Sequence, residues 1–218
     1  GYGLTETTPL IAYSAVYKTV PGVIGGTIPG VEIKIGDKDP QTGIGELLVK
    51  GPNVMQGYYN APDLTKEAFT EDGWFKTGDL CVIDNKGRIS LKGRSKNMIL
   101  GAAGENIYPE DIEFVLNQHP LVSESLVVEG ENTSLVAYVR LQDAIGDAVS
   151  EISNAIMHKR EEVLNEIRFF VNSKVNKFSK IDKIEVVEEF EKTASQKIKR
   201  YLYSLRHGKS QSEEVKGK

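Results

Sequence analysis

Up to Lys92, short apolar runs alternate with turn-forming residues at close spacing, and this spacing constrains the fold more than any other feature of the sequence. The clearest case is a pair of apolar runs joined by Asp84-Asn85-Lys86-Gly87, which predicts a β-hairpin. Such repetition of strand and turn predicts a small distorted β-barrel or sheet. The predicted strands cover residues 31–35, 45–51, 81–83 and 88–91, and one short helix covers residues 63–68.

After Lys96 the chain alternates between helical and extended patterns. Pro109 stands where a first helical residue is expected, and two carboxylates follow it in the first turn, where the helix dipole favours them. The pattern predicts a compact α+β domain of about a hundred residues. Its predicted strands cover residues 98–100, 106–108, 125–128, 135–141 and 184–187, and two further helices cover residues 147–176 and 199–206. With the boundary at residues 94–97, the predicted division is residues 1–95, residues 96–208 and a frayed polar tail, 209–218.

The composition excludes several classes of protein. The net charge of -4 argues against a general nucleic-acid binder. No apolar run approaches the roughly 20 residues of a membrane-spanning helix. The single cysteine, Cys81, rules out an internal disulfide and fits a reducing compartment, so we predict a cytoplasmic protein. The chain starts inside a glycine-flanked polar motif without an initiator methionine, and we expect it to be a piece of a longer protein.

A carboxylate and a guanidinium flank the predicted hairpin, because Asp79 precedes its first strand and Arg94 follows its second. A carboxylate can accept hydrogen bonds from both hydroxyls of a ribose, and a guanidinium can serve hydroxyls or phosphate oxygens. The pair therefore suggests a nucleotide site. The alternative is structural, with Asp79 capping a turn and Arg94 lying on a solvated face.

Two further stretches could take part in phosphate chemistry. From Lys192 onward there are eight basic and two acidic residues, and the small polar residues before Lys197 suit a phosphate or an acyl phosphate. The alternative is a solvated basic helix end. Tyr2, Thr5 and Glu6 offer a ring, a hydroxyl and a carboxylate, which could stack on a base, bond a phosphate and hold Mg²⁺, or form a plain loop. No GxxxxGK[ST] motif is present, so neither stretch is a self-contained Walker-type site.

These stretches belong to a series of motifs that follow one another along the chain: Tyr2-Gly3-Leu4-Thr5-Glu6, Gly45-Glu46-Leu47-Leu48-Val49-Lys50-Gly51, Trp74-Phe75-Lys76-Thr77-Gly78-Asp79-Leu80, Gly93-Arg94-Ser95-Lys96, Glu105-Asn106-Ile107-Tyr108-Pro109-Glu110-Asp111-Ile112-Glu113 and Lys192-Thr193-Ala194-Ser195-Gln196-Lys197-Ile198. In this order they resemble the adenylate-forming superfamily, which contains acyl-CoA synthetases, nonribosomal peptide adenylation domains and firefly luciferase. Residues 51–60 look most like the long-chain fatty acid–CoA ligases, of which this chain would be the C-terminal portion.

The resemblance implies a ligase reaction in two steps. A fatty carboxylate attacks the α-phosphate of ATP, and the CoA thiol attacks the acyl adenylate after the smaller domain turns about a hinge. It implies ATP/AMP, Mg²⁺ and coenzyme A as cofactors and a fatty acid and CoA as partners, and it leaves open a peripheral membrane contact through a region upstream. By residue, it implies that Tyr2 stacks on adenine, Thr5 touches the AMP phosphate, Glu6 binds Mg²⁺, Asp79 holds the ribose, Arg94 supports the nucleotide, Lys96 is the hinge, Gly104 lines the pantetheine path and Lys197 stabilises charge between the carboxylate and the α-phosphate.

Two departures from the family pattern bear on activity. Gln196 stands where the family has glycine, and glutamine adopts left-handed backbone angles less freely, so we expect a stiffer loop. The family's Ser/Thr/Gly-rich phosphate loop and fatty-acid tunnel would lie upstream of Gly1, so we expect this chain alone not to adenylate a carboxylate. A CoA or carrier-protein ligase for another acid stays open, as does a non-catalytic binding module, although Lys197, Asp79 and Glu6 together count against the module.

Overall fold

A computed structural model describes residues 1–20, 22–142 and 154–204 of the chain, with side-chain surroundings in the last range given from residue 160. It divides the chain into two units, Gly1–Asn97 and Met98–Lys218. The described residues form four separate sheets and three α-helices, which confirms the predicted α+β class. None of these four sheets closes into a barrel. Within these ranges no helix combines the length and apolar character needed to cross a membrane.

The first unit is built on an antiparallel sheet of four strands in the order β3-β4-β5-β6. Leu47 and Val49, two positions apart in β4, are fully buried and pack with Cys81 of β5 and Ile89 of β6. The elements of this unit are β1 (Ala12–Tyr13), β2 (Gly26–Thr27), β3 (Glu32–Gly36), β4 (Gly45–Lys50), α1 (Pro62–Ala68), β5 (Phe75–Ile83) and β6 (Ile89–Arg94). The hairpin is therefore confirmed, but β5 begins at Phe75 and includes most of the motif that was expected to precede it.

Two irregularities interrupt this sheet close to Asp79. The register shifts between Glu46 and Leu48 where β4 pairs with β5, and between Leu80 and Cys81 where β5 pairs with β6. Such bulges bend a strand and redirect its side chains. Gly78 between them has a φ of +70°, a left-handed angle that glycine adopts without a Cβ penalty. The bulged part of β5 therefore sets the direction in which Asp79 points.

The second unit contains a three-stranded sheet in the order β11-β10-β9, in which β10 and β11 are parallel and β9 and β10 antiparallel. Its elements are β7 (Ile99–Leu100), β8 (Asn106–Ile107), α2 (Pro109–Leu116), β9 (Val122–Glu129), β10 (Leu135–Leu141), α3 (Asn154–Lys174) and β11 (Lys183–Val186). Both faces of the sheet are covered. Val127 packs with residues of α2 and α3, whereas Leu126 and Val128 pack with Phe190 and its neighbours in the chain after β11.

The predicted C-terminal helix over residues 199–206 is wrong for its described part. Only a 3₁₀ turn forms, Arg200–Leu202, and Tyr203 ends it. The physical reason is tertiary: the Arg200 side chain bonds to Glu113 and Val127, and the Tyr203 ring packs against Tyr138 and Phe190. The predicted helix over residues 147–176 is observed from Asn154 to Lys174, while its first residues and the predicted frayed tail, 209–218, lie outside the described residues.

We expect the Cys81 thiol to resist alkylation in the folded protein. Burial, and to a lesser degree the negative charge of Asp79, raise the pKa of Cys81 to about 12, whereas an unperturbed thiol has a pKa of 9.0. The thiolate is the reactive form, so alkylation by iodoacetamide at mildly alkaline pH should be at least about 100-fold slower than in denaturant, as followed by mass spectrometry. Because the pKa is raised, this group's contribution to stability is complete below pH 9.0 and is lost as the pH rises towards about 12. Equal labelling rates in the two states would contradict the buried position.

Candidate functional site

Three side chains from distant parts of the first unit meet at the open end of the hairpin. Asp79 of β5 and Arg94 of β6 are direct partners across the two strands. The Arg94 Nε atom lies 2.8 Å from Asp79 Oδ1, and the Tyr2 hydroxyl donates a hydrogen bond of 2.5 Å to Asp79 Oδ2. Asp79 is 7% exposed, so its charge is held by these two partners rather than by water. Asp79 therefore does more than cap a turn, while the Arg94 side chain is 40% exposed and keeps one side towards solvent.

The Tyr2 hydroxyl is fixed as the donor in this arrangement. Burial, followed by the hydrogen bond to Asp79, raises the pKa of Tyr2 well above its ordinary value. The phenol therefore keeps its proton over the physiological range, and each carboxylate oxygen of Asp79 retains a free lone pair for another donor. The chain around Tyr2 is anchored as well, because its backbone N–H and C=O both bond to residues 11–12.

Thr77 and Glu46 hold the backbone that presents Asp79, and the sequence analysis did not identify either of them. The Thr77 hydroxyl donates to the Leu47 carbonyl at 2.8 Å and accepts the Asp79 backbone N–H at 3.1 Å. Glu46 Oε1 accepts the Gly78 N–H at 2.8 Å. Both residues lie within the quoted motifs, but only the bulged register, which the sequence does not reveal, brings them together.

The loop that carries Thr5 and Glu6 is held by hydrogen bonds to Met55 and Tyr58 of the same unit. The Tyr58 hydroxyl donates to Glu6 Oε1 at 3.1 Å, and the Met55 N–H donates to the Glu6 carbonyl at 2.8 Å. Burial, and then the hydrogen bond and charge of Glu6, raise the pKa of Tyr58. Gly3 is required here because a Cβ would lie 1.8 Å from the Pro9 carbonyl oxygen. Thr5 is exposed, in a 3₁₀ turn that spans Thr5–Thr7.

The donor set around Glu6 decides whether a divalent cation fits. The described residues contain no group of three or more His, Cys, Asp or Glu side chains that could enclose a metal ion. Mg²⁺, however, usually binds one or two carboxylates together with phosphate oxygens and water, so the single carboxylate of Glu6 fits an ion that arrives with a nucleotide. A dedicated protein cage for a metal is not what these residues form.

Of the remaining predicted residues, Lys96 belongs to the first unit, whereas Gly104 and Lys197 belong to the second. Lys96 is exposed in the 3₁₀ turn Ser95–Asn97, at the end of the first unit. Gly104 is exposed in the loop between β7 and β8, and nothing lies within 4 Å of the place its Cβ would occupy. Lys197 belongs to the second unit, so its distance from Asp79 is not defined by the fold of either unit alone.

Lys197 sits on an exposed turn that is closed by its own hydrogen bonds. The Thr193 N–H donates to the Lys197 carbonyl at 2.8 Å, and the Lys197 N–H donates to the Thr193 hydroxyl at 3.2 Å. Gln196 has a φ of +61°, so it takes the left-handed conformation that its side chain disfavours. Within the described part of the chain, no salt bridge occupies the Lys197 ammonium, which remains available to an anion.

The chain after this turn is fastened by a partly buried ion pair that the sequence analysis also missed. Arg200 Nη2 lies 2.8 and 3.0 Å from the two carboxylate oxygens of Glu113 on α2. Burial is the largest influence on Glu113 and raises its pKa, although Arg200 acts in the opposite direction. The only signal in the sequence was that Glu113 ends one motif of the family resemblance and that Arg200 follows another by two residues.

Comparison with known proteins gives the family. The profile of the AMP-binding enzymes matches residues 1–59, and that of the AMP-binding enzyme C-terminal domain matches residues 111–197. The chain is 43% identical over 128 residues to a long-chain-fatty-acid–CoA ligase of Mycobacterium bovis, covering 59% of this chain and 20% of that protein. It is 33% identical over 211 residues to the medium-chain fatty-acid–CoA ligase of Escherichia coli K12, covering 92% of this chain and 35% of that protein. The chain thus spans about a fifth to a third of the length of these curated relatives.

Solved structures agree with this result. The o-succinylbenzoate CoA synthetase of Bacillus subtilis, in complex with its acyl-adenylate intermediate, matches with a TM-score of 0.75 and 31% identity over 92% of this chain and 39% of that one. An ATP-bound RpMatB-BxBclM chimera matches with a TM-score of 0.75 and 31% identity over 93% of this chain and 39% of that one. By its two profile matches and by its fold, the chain belongs to the AMP-binding enzyme family and includes the C-terminal domain of that family.

Proposed function

We propose that this chain is part of an ATP-dependent fatty acid–CoA ligase, which joins a carboxylate to AMP and then transfers the acyl group to CoA. One observation carries the proposal: the buried Asp79 carboxylate, held by Tyr2 and Arg94, keeps free acceptor sites beside an aromatic ring. This combination suits a nucleoside, since the carboxylate accepts both ribose hydroxyls while the ring offers a stacking plane for adenine.

The nucleotide is held by groups that do not have to move. Asp79 and Arg94 lie on paired strands, and the hydrogen bond to Tyr2 keeps the Asp79 side chain in one direction. Thr5 contacts the phosphate and Glu6 holds Mg²⁺, which supplies a positive charge to the phosphate oxygens when it is bound. Preorganised donors and acceptors of this kind bind the nucleotide without a cost of rearrangement during the reaction.

Lys197 supplies the mobile charge in the first step. In that step the carboxylate oxygen bonds to the α-phosphorus, the bond to the β-phosphate oxygen breaks and pyrophosphate leaves. A primary ammonium beside the attacking and phosphate oxygens offsets the negative charge that develops between them. The exposed turn and the hinge at Lys96 let the same lysine withdraw, and the loop with Gly104 then borders the path of the CoA thiol.

Several features support the choice of a fatty acid and of CoA. The relative from Mycobacterium bovis with 43% identity is a long-chain-fatty-acid–CoA ligase, and the match to the medium-chain ligase of Escherichia coli covers nearly all of this chain.

The single cysteine, which is buried and free, suits a reducing compartment such as the cytoplasm.

A CoA ligase for a different carboxylic acid is the second candidate. The o-succinylbenzoate CoA synthetase, whose name gives an acid that is not a fatty acid, matches 92% of this chain in structure. A panel of carboxylates of different length and ring content, tested with the intact protein, separates the two. Fatty acids should give the highest kcat/KM, and a clear preference for an aromatic acid would favour the second candidate.

Replacing Lys197 with Ala should slow acyl-adenylate formation while nucleotide binding persists. We expect a loss of about 100- to 1,000-fold in the first half-reaction, because one preorganised charge is removed from the transition state. Pyrophosphate release by the intact protein measures it. Lys183→Ala, at an exposed lysine in β11, is the matched control and should keep the normal rate. An undiminished rate in Lys197→Ala would refute the assigned role.

Replacing Asp79 with Asn should weaken AMP binding about 10- to 100-fold, since charged hydrogen bonds to the ribose are lost. Calorimetric titration of the intact protein with AMP and with 2′,3′-dideoxy-AMP gives the test, because the dideoxy ligand should bind both variants equally. Asp84→Asn removes a carboxylate paired with arginine at the other end of the same hairpin, 2.7 Å from Arg88, and should leave the affinity for AMP unchanged. Equal loss with both ligands would mean that Asp79 acts on the fold and not on the ribose.

The 218-residue chain alone should show no ATP–pyrophosphate exchange with a fatty acid. The AMP-binding enzyme profile matches only residues 1–59, and the chain spans about a fifth of the Mycobacterium bovis ligase. The intact protein, assayed in parallel, provides the positive control. Exchange by the isolated chain above the rate of its Lys197→Ala variant would contradict this expectation.

A further inference from the structure

The turn that carries Lys197 is stiff within itself, but it offers little surface for attachment. All residues from Thr193 to Lys197 are exposed, and their hydrogen bonds run from one turn residue to another. A turn of this kind keeps its own shape, yet its position is set only by the chain at its two ends. The contacts at those ends therefore decide where the Lys197 ammonium can reach.

Each end of the turn carries an ion pair to another element of the second unit, one to the strand β9 and one to the helix α2. On the near side, Lys192 Nζ lies 2.5 Å from Glu124 Oε1 on β9. On the far side, Arg200 bonds to Glu113 on α2. We refer to these two pairs, Lys192–Glu124 and Arg200–Glu113, as the clamp. Between its two points, Lys192 and Ile198 form an isolated bridge that closes the loop.

The Arg200–Glu113 pair is more than a pair of charges, because it also bonds to backbone groups at the edge of the sheet. The Val127 N–H donates to Glu113 Oε1 at 2.8 Å, and Arg200 Nη1 donates to the Val127 carbonyl at 2.6 Å. The carboxylate and the guanidinium thus take the places that a neighbouring strand would occupy beside β9. Because Glu113 belongs to α2 and Arg200 to the segment on the other face, the pair joins two layers around the edge strand.

We propose that the clamp is a positioning device for Lys197, and that Glu113 and Arg200 act on the first half-reaction through that lysine. Arg200 follows Lys197 by only three residues, and its two terminal nitrogens bond to different partners, Glu113 and the Val127 carbonyl, which fixes direction as well as distance. Ile198, between them, contributes apolar contacts, which are not directional. This inference rests on the proposed function of Lys197. It assigns neither Glu113 nor Arg200 a contact with substrate.

A structural role and a positioning role predict different kinetics. If the pair served only the fold, its loss would impair both half-reactions alike. If it positions Lys197, its loss impairs acyl-adenylate formation, while transfer from a supplied acyl adenylate to CoA continues. The variant that separates these roles replaces both partners, Glu113→Gln with Arg200→Met, because it leaves neither charge of the partly buried pair without its partner.

In the intact protein, we expect the double variant to form acyl adenylate about 10- to 100-fold more slowly, since small displacements of a catalytic group have effects of this size. Thioester formation from supplied acyl adenylate should change less than about twofold. In a Lys197→Ala background the double variant should cause no further loss in the first half-reaction, because no group remains to be positioned. Lys183→Met removes an exposed positive charge of the same domain and is the control for both rates.

Amide hydrogen exchange tests the clamp without any activity. The Thr193 and Lys199 amides, which bond to the Lys197 and Glu191 carbonyls, should exchange at least about tenfold faster in the double variant than in Lys183→Met, at an unchanged unfolding temperature. Unchanged exchange, an equal loss in both half-reactions or a full additional loss in the Lys197→Ala background would overturn the inference. If the unaltered protein forms no acyl adenylate, the proposed function fails, while exchange still decides whether the clamp holds the turn.

Discussion

The buried carboxylate of Asp79 is the constraint on which the first unit depends. A charge that is 7% exposed is costly to desolvate, and it is tolerated only where partners replace the lost water. Arg94 and Tyr2 supply those partners from the neighbouring strand and from the start of the chain. The N-terminal segment is thereby fastened to the sheet by a polar contact. Because the Asp79 carboxylate needs these partners, the Tyr2 ring and the Arg94 guanidinium both lie beside it.

The sequence predicted the hairpin and most of the longer strands, because alternation of apolar and polar residues and turn-forming residues are local signals. It did not predict the bulges beside Asp79, since a register shift depends on which strand pairs with which. Thr77 and Glu46 were missed for that reason. The helix expected near the C terminus is absent for a related reason. Arg200 and Tyr203 contact β9, β10 and α2, and these tertiary contacts outweigh a local helical preference.

Gln196 shows how a turn can keep a backbone conformation that its side chain disfavours. Glutamine adopts left-handed angles less freely than glycine, and for that reason we expected a stiffer loop. In the structure Gln196 has a φ of +61°, so the turn keeps its geometry and bears the strain, about 1–2 kcal/mol for a residue with a Cβ. Such strain persists only where surrounding contacts over-determine the conformation. Here the hydrogen bonds between Thr193 and Lys197 close the turn, and the ion pairs of Lys192 and Arg200 fasten the chain on either side.

The two units solve the problem of placing a charge in opposite ways. Asp79 is an anion whose position is fixed by burial, by strand pairing and by a bulge, so a ligand has to come to it. Lys197 is a cation on an exposed turn, free of ion pairs among the described residues, whose precision has to come from the chain on either side. A fixed acceptor and a movable donor together suit a reaction in which one charge is needed throughout and another during a single step. On this view the partly buried Arg200–Glu113 pair compensates for the exposure of Lys197, because the movement that we propose for this side chain needs a rigid base.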